Sequence, residues 1–147
     1  NLKLVNLKRE KPQYKNLKYK KILKHLIKLD NSKSDIGLVS NKRILETGTS
    51  NLLFIKRNKV YTPIKGYYEG NTLKFFKSKI KKIIKKNIFV KDVKNYDEIL
   101  LVGSGKGVAS VKTINQIGWK RKNFKQFKIL SNHYNLIKNK CKPYKFY

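Results

Sequence analysis

Four places in this sequence carry residue types that do chemistry. Lys15, in "YKNLKY", presents a primary amine at a loop-to-helix junction. Glu46 ends "ILE" just ahead of "TGTSN", and it is one of only eight acidic residues against 37 lysines and arginines. Two glycine-bearing turns follow, "EGNT" at 69–72 and "VGSGKG" at 102–107. The first opens a helix, where unpaired N–H groups and partial positive charge favour an anion. The second can gather its N–H groups into an anion-holding nest, with the Ser104 hydroxyl as a further donor.

Taken singly, each has an ordinary reading. One lysine among 33 is a solvated side chain, and Glu46 is a charge at a sheet edge. Gly-Ser-Gly is a plain turn, and Gly70-Asn71-Thr72 is a helix start. Together, an amine, a carboxylate and two phosphate-sized anion sites make the set that pyridoxal 5′-phosphate needs. The amine forms the Schiff base, the acid faces the ring nitrogen, and the turns hold the phosphate.

Longer segments narrow the choice. The chain runs through "KREKPQYKNLKY", "ILETGTSNLLFI", "KVYTPIKGYYEGNT" and "DEILLVGSGKGVASV" in that order. They hold a Glu-x-x-x-Ser-Asn-Leu-x-Phe pattern, then Tyr-Thr-Pro, then Gly-x-Thr. From Leu2 onward the chain resembles the C-terminal half of class IV pyridoxal-phosphate enzymes. That group contains branched-chain aminotransferases, D-amino-acid aminotransferases and aminodeoxychorismate lyase.

The resemblance implies roles by position. Lys15 matches the Schiff-base lysine and Glu46 the acid at the pyridine nitrogen. Asn71 and Thr72 fall where backbone amides grip the phosphate. Ser104 falls where a Ser or Thr does the same, with Gly103 and Gly105 keeping that turn open. The implied fold is mixed α+β, the C-terminal pseudo-barrel domain of the D-amino-acid aminotransferase-like architecture. Residues 1–147 would form one cofactor-binding domain. The sequence begins with Asn and contains no Met, so the N-terminal domain, which in this group supplies an arginine to the phosphate, is expected to lie outside it. The implied substrate is a small amino compound, and the working unit a homodimer. The short "LLVGSGKGVASV" segment and compact length point to the lyase branch, with an aminotransferase as the alternative. Lys18 stands where the group often has Asn, and Leu73 where it commonly has Arg.

The charge of +29 raises a competing class, a lysine-rich nucleic-acid-binding module. Against it, 33 of the 37 basic residues are lysine, and only Arg9, Arg43, Arg57 and Arg121 offer the planar fork that base recognition uses. The lysines are also spread along the whole chain, and the abundant residues are those of AT-rich codons. No specific nucleic-acid partner is therefore expected. Apolar runs reach four residues, far short of a membrane span. The single cysteine, Cys141, allows no internal disulfide and suits a reducing, cytoplasmic setting. His25 and His133 lack metal-ligand partners in sequence and receive no role.

The elements that must position these residues follow from periodicity. Residues 1–14 read as a strand and a Pro-containing connector. Residues 17–29 read as an amphipathic helix with Ile22, Leu23, Leu26 and Ile27 on its apolar side. Strands are expected at 36–39, 44–46, 51–55, 60–62, 88–90, 99–102, 108–114 and 117–119, with a tight turn at Arg57-Asn58. A helix capped by Asn71 or Thr72 would bury Leu73, Phe76, Ile80, Ile83 and Ile84. A final helix is expected over 124–138. A neutral Lys15 would need desolvation beyond what Lys11, Lys18, Lys20 and Lys21 contribute by repulsion.

Overall fold

The computed structural model describes residues 1–140, so Cys141 lies outside the described residues. In chain order the elements are β1 (Leu2–Asn6), α1 (Lys20–Leu26), β2 (Asp35–Ser40), β3 (Arg43–Thr47), β4 (Asn51–Lys56) and β5 (Lys59–Pro63). Then come α2 (Asn71–Lys79), β6 (Ile83–Lys86), β7 (Ile88–Phe89), β8 (Glu98–Gly103) and β9 (Gly107–Ser110). Last are β10 (Thr113–Ile114), β11 (Trp119–Lys120) and α3 (Lys125–Lys140). Short 3₁₀ turns occupy Val90–Asn95 and Asn115–Ile117.

The two apolar runs Leu52–Ile55 and Ile99–Val102 lie at the centre of the fold. They pair antiparallel, Leu52 with Leu101 and Phe54 with Ile99. Every side chain in both is buried. Alternate residues serve opposite faces, as a strand's period of two requires. Leu52, Phe54, Ile99 and Leu101 face the core shared with β1, β2, β3 and β7. Leu53, Ile55, Leu100 and Val102 face α2 and α3, meeting Leu73, Phe76 and Leu130. A strand covered on both sides has no polar face to show, which is why these segments read as unbroken apolar runs.

Around this pair the strands form a five-stranded sheet, β6-β5-β4-β8-β9, and a four-stranded sheet, β1-β2-β3-β7. β10 and β11 form a separate two-stranded ribbon. None of the three closes on itself. Ile22 and Leu26 of α1 pack on Ile36 and Leu38 of β2, away from the central core. The fold is thus mixed α+β, with helices outside two stacked sheets. Two strand pairs are parallel, β1 with β2 and β5 with β6. A parallel pair needs a long crossover. The crossover at 7–34 carries Arg9 and Lys15, and the one at 64–82 carries Tyr68, Gly70 and Asn71. Both hairpins Asn41-Lys42 and Arg57-Asn58 have two positive φ values, 49° and 59°, and 49° and 62°. That is the backbone of the tight turn whose twist matches its strands.

Several sequence expectations change here. The first helix spans only Lys20–Leu26, with Leu17 and Ile27 exposed at 87% and 79%. Asn16 explains its late start. Its Oδ1 accepts from the Lys18 N–H at 2.8 Å, and its amide reaches the carbonyls of Glu10, Lys11 and Tyr14. Such local bonding competes with helix formation. The second helix stops at Lys79, and Ile83-Ile84 instead form β6 against the edge of β5. β-branched residues suit that edge, and pairing it satisfies a row of backbone groups. The cap of α2 is Gly70, with Asn71 and Thr72 inside the first turn. The stretch 108–114 splits into β9 and β10. The stretch 117–119 is the end of a 3₁₀ turn, then left-handed Gly118, then β11.

Candidate active site

Where the chain passes from the first sheet to the second, between β3 and β4, it borders a cleft of about 360 Å³. Lys15, Glu46, Asn71, Gly103, Ser104 and Gly105 all line it. Thr72 does not. It is buried at 5% exposure in the first turn of α2, behind the wall. Arg9, Tyr14, Asn16, Ser50, Asn51 and Tyr68 complete the lining that matters to the chemistry.

Glu46 sits on β3 opposite Leu38 of β2, so two strands hold its backbone. The residue is 3% exposed. Arg9 Nε donates to its Oε1 at 2.8 Å, and the Tyr68 N–H makes a long 3.4 Å approach to Oε2. Burial raises the carboxyl's pKa above the ordinary range, and the Arg9 charge and hydrogen bond work against that rise. Arg9 therefore opposes the protonation that burial favours. Oε2 keeps room for one strong donor in the cleft.

The anion-binding side is built from two turns. Asn51 accepts the Gly70 N–H on Oδ1 at 3.0 Å and donates from Nδ2 to Tyr68 O at 2.6 Å. One side chain of β4 thus fixes the approach to α2. Gly70 is extended, φ −75° and ψ 161°, and the helix starts at the next residue. The second turn, Ser104-Gly105-Lys106, links β8 to β9, and Gly107 takes the left-handed φ of 65°. The second turn lies against the Thr49-Ser50 turn between β3 and β4. A Cβ on Gly103 would lie 2.9 Å from Ser50 Oγ and 3.4 Å from Thr49 O.

Lys15 lies in the loop that Asn16 ties together, and its side chain is exposed at the cleft. Among the described residues it makes no hydrogen bond or ion pair. None of the described residues buries it.

A sequence model of the family described as "Amino-transferase class IV" matches residues 1–114. The chain belongs to the class IV aminotransferase family. Solved structures agree on the fold. A branched-chain aminotransferase from Thermoproteus uzoniensis superposes with a TM-score of 0.78 at 17% identity, over 92% of this chain and 50% of that one. A "putative 4-amino-4-deoxychorismate lyase" from Legionella pneumophila gives 0.70 at 19% identity, over 95% and 55%. A branched-chain aminotransferase from Thermobaculum terrenum, solved in its PLP form, gives 0.74 at 14% identity, over 92% and 50%. This class IV chain spans about half the length of those structures. No curated protein matches it.

Within this family member, sequence reasoning missed Arg9, Ser50, Asn51 and Tyr68. Ser50 and Asn51 belong to the Glu-x-x-x-Ser-Asn pattern, which by itself assigned them nothing. For Arg9 the signal was rarity. Where nearly every cation is lysine, an arginine marks a place that needs a planar, directional donor. Arg121 fits the same reading, bonding Ser110 and stacking 3.3 Å over the Phe124 ring. Among the described residues no His, Cys, Asp and Glu cluster could hold a metal, and no helix is long and apolar enough to cross a membrane.

Proposed function

We propose that this chain is the cofactor-binding half of a pyridoxal-phosphate-dependent class IV enzyme acting on a small amino compound. One observation carries the reading: an amine, a buried acid and two N–H-bearing turns line a single cleft. The residues suit the group. Glu46 Oε2 has capacity for a donor from a protonated ring nitrogen, and Arg9 favours its ionised form. The start of α2 and the Gly103–Gly105 turn offer N–H groups, with Ser50 and Ser104 hydroxyls beside them, to a phosphate monoester. When bound, pyridoxal 5′-phosphate supplies an aldehyde for a primary amine and a ring that takes up electrons from the neighbouring carbon. Lys15 supplies the amine that moves a proton at that carbon. Glu46 holds positive charge on the ring nitrogen, and the turns fix the far end.

Borohydride reduction of the protein with pyridoxal 5′-phosphate, followed by peptide mass analysis, tests this. The label should concentrate on Lys15 and disappear in Lys15→Ala. Label scattered evenly over the surface lysines would defeat the proposal. Of the two branches we favour the lyase, supported by the compact turn between β8 and β9. Incubation of a complete homologue with aminodeoxychorismate should give 4-aminobenzoate and pyruvate. A keto acid from valine without 4-aminobenzoate would place it with the aminotransferases. The working unit we take to be a homodimer, which sedimentation at several concentrations checks.

A further inference from the structure

Asp35 is 1% exposed and lies outside the cleft lining, yet it joins two of the turns that border it, the one between β3 and β4 and the one between β8 and β9. Its Oδ1 accepts the Ile36 N–H at 2.8 Å. Its Oδ2 is approached by three donors: Thr49 Oγ1 at 2.6 Å, Thr47 Oγ1 at 3.0 Å and Lys106 Nζ at 3.0 Å. Thr47 and Thr49 belong to the turn that carries Glu46 into Asn51. Lys106 belongs to the Ser104-Gly105-Lys106 turn, 71 residues away in sequence.

The hydrogen inventory makes this more than a packing contact. The Thr47 hydroxyl oxygen accepts the N–H groups of Ser50 and Thr49 at 2.8 and 3.2 Å. Its one hydrogen faces either Ser50 O or the carboxylate, both at 3.0 Å, and the charged acceptor makes the stronger bond. The Thr49 hydrogen is committed to Asp35, so Thr49 cannot donate to Ser50 Oγ, 3.3 Å away. In that contact Ser50 is therefore the donor and Thr49 Oγ1 the acceptor, so the Asp35 bond also sets the direction of the Ser50 hydroxyl at the cleft wall. The same carboxylate holds Lys106, whose side chain is 27% exposed, and so keeps the second turn drawn towards the first.

We propose that Asp35 is a positioning residue that locks the Thr47–Ser50 and Gly103–Gly107 turns at one spacing, through Thr49 and Lys106, and so sets the grip of this cleft on a phosphate monoester. The proposal rests on the function proposed above and names the part of the chain that tunes it. It predicts the opposite sign from a direct role for Lys106. If Lys106 were itself the phosphate ligand, releasing it from Asp35 would tighten anion binding.

The test compares pyridoxal 5′-phosphate with pyridoxal, which lacks the phosphate, by visible absorbance on the intact protein. Asp35→Asn should weaken the phosphorylated ligand by about tenfold or more, the scale of lost charged hydrogen bonds, and pyridoxal by less than about twofold. Thr49→Val should follow Asp35→Asn, and Thr49→Ser should restore wild-type binding. Lys106→Met should weaken the phosphorylated ligand too, and it covers the case in which Asp35→Asn folds poorly. Equal losses for both ligands, unchanged binding, or tighter binding in Asp35→Asn would each overturn the proposal. Amide exchange separates it from the wider reading. If wild-type protein binds no pyridoxal 5′-phosphate, the proposed function falls, and exchange at 47–50 and 103–107 decides this inference. Both segments quickening together in Asp35→Asn and in Lys106→Met supports it; one segment alone, or neither, refutes it.

Discussion

Arg9 and Glu46, 37 residues apart in the chain, meet at 2.8 Å through a single Nε–Oε1 hydrogen bond. The acid is nearly sealed from solvent, its side chain 4% exposed, while the arginine side chain keeps 15% exposure at the cleft. This arrangement holds one carboxylate oxygen with a short charged bond and leaves the other with only the long 3.4 Å approach of the Tyr68 N–H.

Removing the guanidinium should therefore strand a buried acid. Arg9→Met is expected to cost about 1–3 kcal/mol, the penalty for leaving a buried acceptor without its donor. Arg9→Lys should recover only part of this, because an ammonium lacks the planar, directional Nε–H. Urea denaturation of the three proteins checks both statements. Arg9→Met with unchanged stability would show that the pair contributes nothing.

Glu46 also gives stability a pH dependence whose sign is fixed by its shift. Burial raises its folded-state pKa above the ordinary 4.5, despite Arg9. The folded protein thus binds this proton more tightly than the unfolded chain does. Glu46's contribution is fully present below about pH 4.5 and is lost as pH rises through the higher folded value. Glu46→Gln, which cannot titrate, should gain stability relative to wild type as pH increases above about 4.5. Thermal melts of both proteins across that range test it, and a flat or falling difference would contradict the shift.

Gly103 is held to glycine by Ser50, which lies beside it just past the Asn51–Val102 pair of β4 and β8. Gly103→Ala would put a Cβ 2.9 Å from Ser50 Oγ, 3.3 Å from Ser50 Cβ and 3.4 Å from Thr49 O. The hydroxyl can rotate away, but the other two atoms move only with the turn. Overpacking of this kind costs about 1–3 kcal/mol. Adding Ser50→Ala should return part of that loss, a coupling measurable in a double-mutant cycle. Additive effects would mean that the two residues do not press on one another.

Glu98 anchors the last helix. It is fully buried, and its two oxygens accept the N–H groups of Gln126 and Phe127 at 2.9 and 3.0 Å. These are among the unpaired donors at the start of α3, where a carboxylate also meets favourable helix charge. Glu98→Ala should cost about 1–3 kcal/mol and speed amide exchange through the first turns of α3 ahead of β4 and β8. Uniform exchange across the molecule would show that the helix and the sheet open as one unit.

The sequence alone determined the elements whose signals are local. The runs Leu52–Ile55 and Ile99–Val102 read as strands, and Arg57-Asn58 as a tight turn. The final helix was expected over 124–138 and spans Lys125–Lys140. The motif order pointed to the class IV family and to Lys15, Glu46 and both glycine turns as candidates. Only the tertiary structure decided which residues surround them. Arg9 reaches Glu46, and Lys106 reaches Asp35, because two parallel strand pairs bring long crossovers and a distant hairpin to one cleft. Side-chain ion pairs across 37 and 71 residues leave no periodicity in the chain, so no local pattern announces them. The same reason holds for Ile83-Ile84, which carry a helical spacing but become a strand because the edge of β5 stands ready to pair with them.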